Sequence, residues 1–113
     1  MSTRGLIVDK RKMPFKHYYI AHDAYPEGAG IDIERMRQGM ETRMPGNYEP
    51  ISAKEAKEIG GEYRYTLTPE ETRFDEYSKD ECDPFQEYVS GYIKKDGTIV
   101  HGFCRDKYDR RPL

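Results

Sequence analysis

The chain lacks long hydrophobic runs. None of its apolar stretches reaches ten residues, and only 35% of its 113 residues are hydrophobic, against about 45–50% in ordinary globular chains. A membrane-spanning helix needs about 20 consecutive, mainly apolar residues, and a secretory signal also depends on an apolar segment. The sequence therefore predicts no signal peptide, no membrane span and no membrane partner.

Cysteine is scarce as well, because Cys82 and Cys104 are the only two and do not form a C-x-x-C motif. This predicts neither a disulfide framework nor a zinc site, and we expect two reduced thiols in a cytoplasmic protein. The glycine-rich motifs G-x-x-x-x-G-K-[ST] and G-x-G-x-x-G, which bind phosphates, are also missing. The three histidines show no metal-ligand spacing. We therefore predict no cofactor and no bound metal.

Aromatic and charged residues are abundant. Ten tyrosines and four phenylalanines supply most of the material for a core, because a tyrosine ring buries a large apolar area and keeps a polar tip. The formal net charge of −2 and the pI of 5.9 predict no direct binding to nucleic acid. The length predicts a single domain over residues 1–113, with a folded core over 1–105 and a mobile tail over 106–113.

The first half of the chain predicts two strands followed by a helix. Arg4–Asp9 contains three consecutive apolar residues, which is typical of a central strand buried on both faces. Phe15–Ala21 is predicted to pair with it in the antiparallel direction. Proline and two glycines make Pro26–Gly30 a tight corner. From Ile31 onward, isoleucine and methionine at helical spacing predict a core-facing helix that stops at Pro45, with Glu34 off the apolar face.

The second half predicts a helix, a strand, a loop and a hairpin. Ser52 and Glu55 form a capping box for a short helix, and the alternation in Glu62–Thr68 predicts a half-buried strand, with a helical turn starting after it. Arg73–Pro84 is predicted to be a loop, with a short strand or helical turn around Phe74 and Tyr77 as the alternative. An Asp-Gly pair at the centre of Phe85–Arg105 predicts a hairpin. The residues expected to point inward from the short helix are Ala53, Ala56 and Ile59. The whole pattern predicts an α+β domain with a small, mostly antiparallel sheet, one or two short helices and a C-terminal β-hairpin.

Two parts of the chain resemble known sequences. The segments Ser2–Ile7 and Asp23–Gly30 resemble a set of small phage and bacterial proteins that begin T-R-x-L-I and carry D-G-Y-P-x-G-x-G after the second strand. The chain departs from that pattern at Ala24, where the set has glycine. Gly91–Val100 resembles a G-Y-x-[KR]-x-D-G-T-x-V hairpin that recurs in phage and mobile-element proteins. The resemblance implies a phage or mobile-element origin and an accessory role in the cytoplasm of a bacterial host; it carries over no catalytic residue.

Weak candidates for catalysis lie near the start of the chain. Ser2 becomes the terminal residue if Met1 is removed, and its amine could then act as the base for its own hydroxyl. His22, Asp23 and Glu27 lie at the corner, where an imidazole beside carboxylates suits a general base. A chain of this length has little room for an N-terminal-nucleophile fold, and a His–Asp pair at a corner more often serves turn formation. We therefore expect no catalysis, with a small hydrolase or transferase as the alternative.

The strongest functional surface in the sequence is an acidic, tyrosine-containing segment followed by a basic hairpin tip. Its carboxylates could imitate the phosphates of a nucleic acid and occupy a basic cleft on a host protein; the alternative is a solvated loop that pairs with the basic tail. The predicted partner-binding residues are Glu70, Glu71, Asp75, Glu76, Tyr77, Asp80, Glu81, Asp83, Glu87, Tyr88, Lys94 and Lys95. This predicts a non-enzymatic inhibitor of a host protein, such as a nucleic-acid-binding defence protein of the CRISPR effector kind. A homodimeric structural module, joined by a strand edge or the Met36/Met40 face, is the other alternative.

Overall fold

The computed structural model describes residues 3–39, 48–76 and 82–106. Within these ranges the strands are β1 (Gly5–Asp9), β2 (Lys16–Ile20), β3 (Tyr48–Ile51), β4 (Tyr63–Leu67), β5 (Thr72–Glu76), β6 (Gln86–Val89), β7 (Gly91–Ile93), β8 (Ile99–Val100) and β9 (Phe103–Asp106). A π-helical turn (Pro26–Gly30) leads into helix α1 (Ile31–Gln38), and helix α2 (Ala53–Glu58) follows β3. Several residues named above lie outside the described ranges: Ser2, Met40, Tyr77, Asp80 and Glu81, as does nearly all of the predicted tail.

Seven of the strands form one sheet in the order β3-β2-β1-β4-β5-β7-β8. The β1–β4 pair is parallel, and the other pairs are antiparallel. This confirms the predicted α+β class with a mostly antiparallel sheet. The interior position of β1 was also predicted correctly, because Leu6 and Ile7 point to opposite faces of the sheet and both are buried.

The main core lies between α1 and one face of the sheet. Ile33 and Met36 of α1 join a cluster with Tyr65 and Phe74 of the central strands. The Tyr65 hydroxyl donates a hydrogen bond to the Ala24 carbonyl, which satisfies its polar tip inside the core. Burial also raises the pKa of Tyr65, so the ring stays neutral. The core is therefore built on aromatic rings, as the composition predicted.

Both helices differ in detail from the prediction. Helix α1 ends at Gln38, well before Pro45, and the N–H of Gly39 closes its last turn on the Arg35 carbonyl. Glu34, expected on the outer face, is only 1% exposed. Its burial follows from ionic partners at the end of the same helix, which a hydrophobic pattern does not reveal. Helix α2 begins with the predicted capping box, but its residues are exposed or half-buried, and Ala53 is exposed.

Strand β5 occupies the start of the predicted loop, and it confirms the alternative of a short strand around Phe74. It lies between β4 and β7 and directs Thr72, Phe74 and Glu76 into the core. The turn before it is the segment predicted to start a helix. There, Oγ1 of Thr68 accepts a hydrogen bond from the Glu71 N–H at 3.1 Å, so the same threonine closes a hairpin turn.

The C-terminal hairpin forms as predicted and continues beyond the main sheet. Tyr92 lies opposite Val100 in the β7–β8 pair, and Val89 lies opposite Phe103 in the β6–β9 pair, so one register runs through both pairs. Between the two pairs, an added Cβ at Gly102 would lie 2.2 Å from the Tyr88 hydroxyl oxygen, so the ring passes over a position that only glycine can occupy. We call β6, β9 and the preceding residue Phe85 the ribbon.

A disulfide between Cys82 and Cys104 closes the base of the ribbon, with 5.6 Å between the two Cα atoms. The prediction of two reduced thiols is therefore wrong for this structure. In the hairpin register Cys104 lies opposite Tyr88. Cys82 precedes the predicted first arm of the hairpin, so the pattern did not place the two cysteines together. A turn in which the Gln86 N–H donates to the Asp83 carbonyl at 2.8 Å reverses the chain and brings Cys82 back.

Candidate functional site

The corner that offered catalytic candidates is a tight structural turn. Asp23 adopts a φ of 55°, in the left-handed region that aspartate tolerates better than most residues. The Ala29 N–H donates to the Asp23 carbonyl at 3.2 Å and closes the turn. The side chains of His22, Asp23 and Glu27 are all exposed. These contacts give the corner a structural role as a turn. The catalytic alternative stays a prediction.

Metal and membrane chemistry find no support in the described ranges. Among residues 3–39, 48–76 and 82–106, no group of three or more His, Cys, Asp or Glu side chains lies close enough together to hold a metal ion. The helices of that part of the chain are also too short and too polar to cross a membrane.

The acidic residues predicted to bind a partner do not share one surface. Glu76 is 7% exposed on the inward face of β5, and its Oε1 lies 3.6 Å from Nδ1 of the exposed His101. Asp75, on the opposite face of β5, accepts a hydrogen bond from the Ser90 hydroxyl. Alternation along β5 separates these two carboxylates, which the loop prediction treated as one patch. Glu76 is therefore removed from the candidate surface.

Two further acidic residues of that set are engaged in ion pairs. Glu71 contacts Arg73 at 3.0 Å, and Glu87 contacts Arg105 across the ribbon. The second pair agrees with the alternative in which the acidic segment pairs with basic residues near the C-terminus. Both pairs are well exposed, so each contributes little to stability. The remaining described acidic members of the set, Glu70 and Asp83, are exposed.

The ribbon combines two strongly exposed phenylalanines with exposed acidic side chains. Phe85 and Phe103 are 61% and 54% exposed, and the four residues of β6 are only half-buried. Asp83 and Asp106 are exposed beside them. β6 and β9 pair with each other and form a two-stranded element outside the seven-stranded sheet.

The basic hairpin tip is fixed to the body of the protein. Lys94 and Lys95 are exposed, as predicted from the turn. The side chain of Gln38, at the end of α1, donates to the Lys95 carbonyl at 2.8 Å. The Thr98 N–H donates to the Asp96 carboxylate at 2.9 Å inside the turn. The tip is therefore held in place while both lysine side chains reach solvent.

Two ion pairs with buried carboxylates lie at the same end of the sheet as the hairpin tip, because Asp9, Leu67, Thr72 and Ile93 are neighbours across four strands. Nε and Nη2 of Arg11 donate to the two oxygens of Asp9 at 3.0 and 2.9 Å, and Arg37 contacts both oxygens of Glu34 in the same manner. Burial raises the pKa of Asp9, but the hydrogen bonds and charge of Arg11, with the charge of Lys16, outweigh it and hold that pKa below its usual value. The two guanidinium groups are therefore held rigidly.

A cavity of about 390 Å³ opens beside these pairs. Its charged lining residues are Asp9, Arg11, Lys12, Lys16 and Arg37, and its apolar walls are Met13, Pro14 and Pro69. Sequence reasoning missed this site, because the basic residues after β1 were treated as a connector. The run Lys10–Lys12 was the available signal, but α1 and the β4–β5 turn, which complete the cavity, lie far away in sequence.

Comparison with known proteins does not assign the chain to a family. No family model matches the chain, and no curated protein or solved structure is significantly similar to it.

Proposed function

We propose that this protein is a non-catalytic binding protein that docks on a partner protein through the ribbon. The observation that carries the proposal is the exposure of Phe85 and Phe103, at 61% and 54%, on a two-stranded element outside the main sheet. Aromatic side chains dominate the energetics of protein interfaces when they enter a pocket on the partner. An exposed pair of them therefore supports a docking role.

The charges of the ribbon indicate the kind of partner. Asp83 and Asp106 are exposed, while Glu87 and Arg105 neutralise each other. The ribbon therefore carries excess negative charge around its aromatic residues. A partner with an apolar recess rimmed by lysine or arginine fits this pattern, because complementary charge speeds association and favours the correct orientation.

The narrower proposal is that the partner is a nucleic-acid-binding defence protein of a bacterial host and that binding inhibits it. Its support is the sequence resemblance to phage and mobile-element proteins and the acidic character of the segment before the ribbon. The proposed place of action, the host cytoplasm, is a reducing compartment in which the Cys82–Cys104 bond would be reduced. The ribbon would then be held by the β6–β9 pairing and the side-chain contacts across it, such as the Glu87–Arg105 ion pair.

Affinity capture with matched variants tests the docking surface. The tagged protein is compared with a Phe85→Ser/Phe103→Ser variant and with a Met13→Ser/Phe15→Ser control, which removes two large exposed side chains elsewhere. We expect the ribbon variant to lose the partner bound by the unmodified protein, with a loss of at least about 2 kcal/mol in binding free energy.

The control variant should retain that partner, since its changes leave the ribbon intact. Equal retention by both variants, or equal loss, would contradict docking through the ribbon. If the unmodified protein captures only further copies of itself, the proposed partner is wrong, and loss of that self-capture in the ribbon variant would make the ribbon a dimer contact.

A further inference from the structure

The cavity at the end of β1 has the dimensions of a small-molecule site. Its volume of about 390 Å³ lies in the range of roughly 300–1,000 Å³ found for ligand pockets. Met13, Pro14 and Pro69 form apolar walls that could cover the body of a ligand. Its described lining includes no residue of the ribbon, so this site is separate from the proposed docking surface.

The walls of the cavity carry excess positive charge. Arg11, Lys12, Lys16 and Arg37 contribute four cations, and Asp9 contributes one carboxylate. Glu34, behind Arg37, supplies a second carboxylate. Each carboxylate is matched by one arginine, so the positive excess belongs to the two lysines. A cavity whose rim carries this excess of positive charge favours an anionic ligand.

The two arginines are fixed in place before any ligand arrives. The Arg11 guanidinium makes a bidentate contact with the Asp9 carboxylate. Arg37 makes the same bidentate contact with Glu34 and also donates a hydrogen bond to the Pro69 carbonyl at 3.0 Å. The two paired arginines therefore give the cavity a rigid side that costs little ordering entropy when a ligand binds.

The arrangement also indicates which anion fits. The planar forks that would bind a carboxylate in bidentate fashion are occupied by Asp9 and Glu34. Lys12 and Lys16, both exposed at the cavity, present compact ammonium charges. Such point charges suit a phosphate dianion, which does not need a planar partner.

We propose that this cavity binds a small phosphate monoester, with its phosphate at Lys12 and Lys16 and its apolar body against Met13, Pro14 and Pro69. The site goes beyond the proposed docking function and does not depend on it. The positive charge of this site comes from side chains rather than from backbone amides. No glycine-rich motif therefore marks it in the sequence.

Calorimetric titration with three probes tests the proposal: phenyl phosphate, inorganic phosphate and benzoate. We expect phenyl phosphate to bind most tightly, because it offers both the dianion and an apolar body. A Lys12→Gln/Lys16→Gln variant should bind it at least about tenfold more weakly, since a hydrogen bond to a charged group contributes about 1.5–3 kcal/mol.

The matched control is Lys54→Gln/Lys57→Gln, which removes the same charge from exposed positions on α2. It should bind phenyl phosphate as the unmodified protein does. The proposal is overturned if phenyl phosphate does not bind, if both variants weaken it equally, or if benzoate binds as tightly. Inorganic phosphate binding as tightly as phenyl phosphate would overturn the role of the apolar walls. None of these results bears on ribbon docking, which is measured with the Phe85 and Phe103 variant.

Discussion

At the scale of single residues, Glu34 shows how a polar group can belong to the core. Its carboxylate accepts hydrogen bonds from Arg37 at 2.9 Å and from Gln38 at 2.8 Å. Burial raises its pKa, but these hydrogen bonds and the charge of Arg37 outweigh burial and lower the pKa from its usual 4.5. The paired carboxylate is therefore charged inside the protein at neutral pH.

Removing the partner of Glu34 should be costly and dependent on pH. We expect Arg37→Ala to lower the free energy of unfolding at pH 7 by about 3 kcal/mol, because it leaves a buried charge unpaired. The lowered pKa stabilises the fold fully above pH 4.5, and this contribution is lost as the pH falls through the depressed folded-state value. The difference between variant and unmodified protein should therefore shrink in acid.

Urea unfolding at pH 7 and pH 3 measures this difference. Arg35→Ala, an exposed change on the same helix, serves as the control and should shift stability by less than about 0.5 kcal/mol. An Arg37→Ala deficit of the same size at both pH values would show that packing, rather than the charge of Glu34, is responsible.

At the scale of elements, the disulfide stabilises the ribbon more than it stabilises the main sheet. Cys82 and Cys104 are separated by 22 residues, and closing a loop of that length stabilises a chain by about 3 kcal/mol in the chain-entropy account. β6 and β9 pair with each other, apart from the main sheet. Reduction should therefore loosen the ribbon and leave β1 and β4 protected.

Amide hydrogen exchange with and without a reductant measures this effect. We expect faster exchange in β6 and β9 after reduction and unchanged exchange in β1 and β4. A Cys82→Ser/Cys104→Ser variant should show the fast exchange under both conditions. Loss of protection throughout the sheet would show that the bond holds the whole fold.

The elements also show what the sequence could and could not reveal. β1, the capping box of α2 and the Asp-Gly hairpin were predicted because local patterns specify them. β5 was predicted only as an alternative to a loop, because Phe74 is its only apolar residue. Its inward neighbours, Thr72 and Glu76, are buried by adjacent strands rather than by their own hydrophobicity.

The candidate sites follow the same rule. The exposed hairpin tip was predictable from its turn, whereas the cavity combines β1, α1 and the β4–β5 turn and has no local signature. The disulfide required a chain reversal at Asp83 that the hairpin pattern did not contain. Long-range packing therefore determines the features that sequence reasoning missed.

At the scale of the whole molecule, the sheet has edges that discourage association. β3 carries Pro50, which cannot donate a ladder hydrogen bond, and β8 has only two residues. Met36, which was a candidate for a dimer face, is buried in the core. Met36 is therefore not available at the predicted Met36/Met40 face, and the two sheet edges are poor partners for another strand, so the homodimer alternative stays a prediction.

We expect the protein to be a monomer of 13.3 kDa in solution. Size-exclusion chromatography with light scattering measures the mass directly. A doubled mass would restore the homodimer alternative. If Phe85→Ser/Phe103→Ser then returned the protein to a monomer, the contact would be assigned to the ribbon rather than to a sheet edge.

The parallel pairing of β1 with β4 is a seam between two contiguous halves of the chain. β1, β2 and β3 come from residues 5–51, and β4, β5, β7 and β8 come from residues 63–100, so this seam is the one strand pair in the described sheet that joins them. Gly60 lies between the halves, exposed and with open space around its Cα. A chain cut there keeps every other strand pair within a single fragment. The fold is therefore suited to a split reporter, in which two fragments reassemble by restoring the β1–β4 pairing and the packing beneath α1.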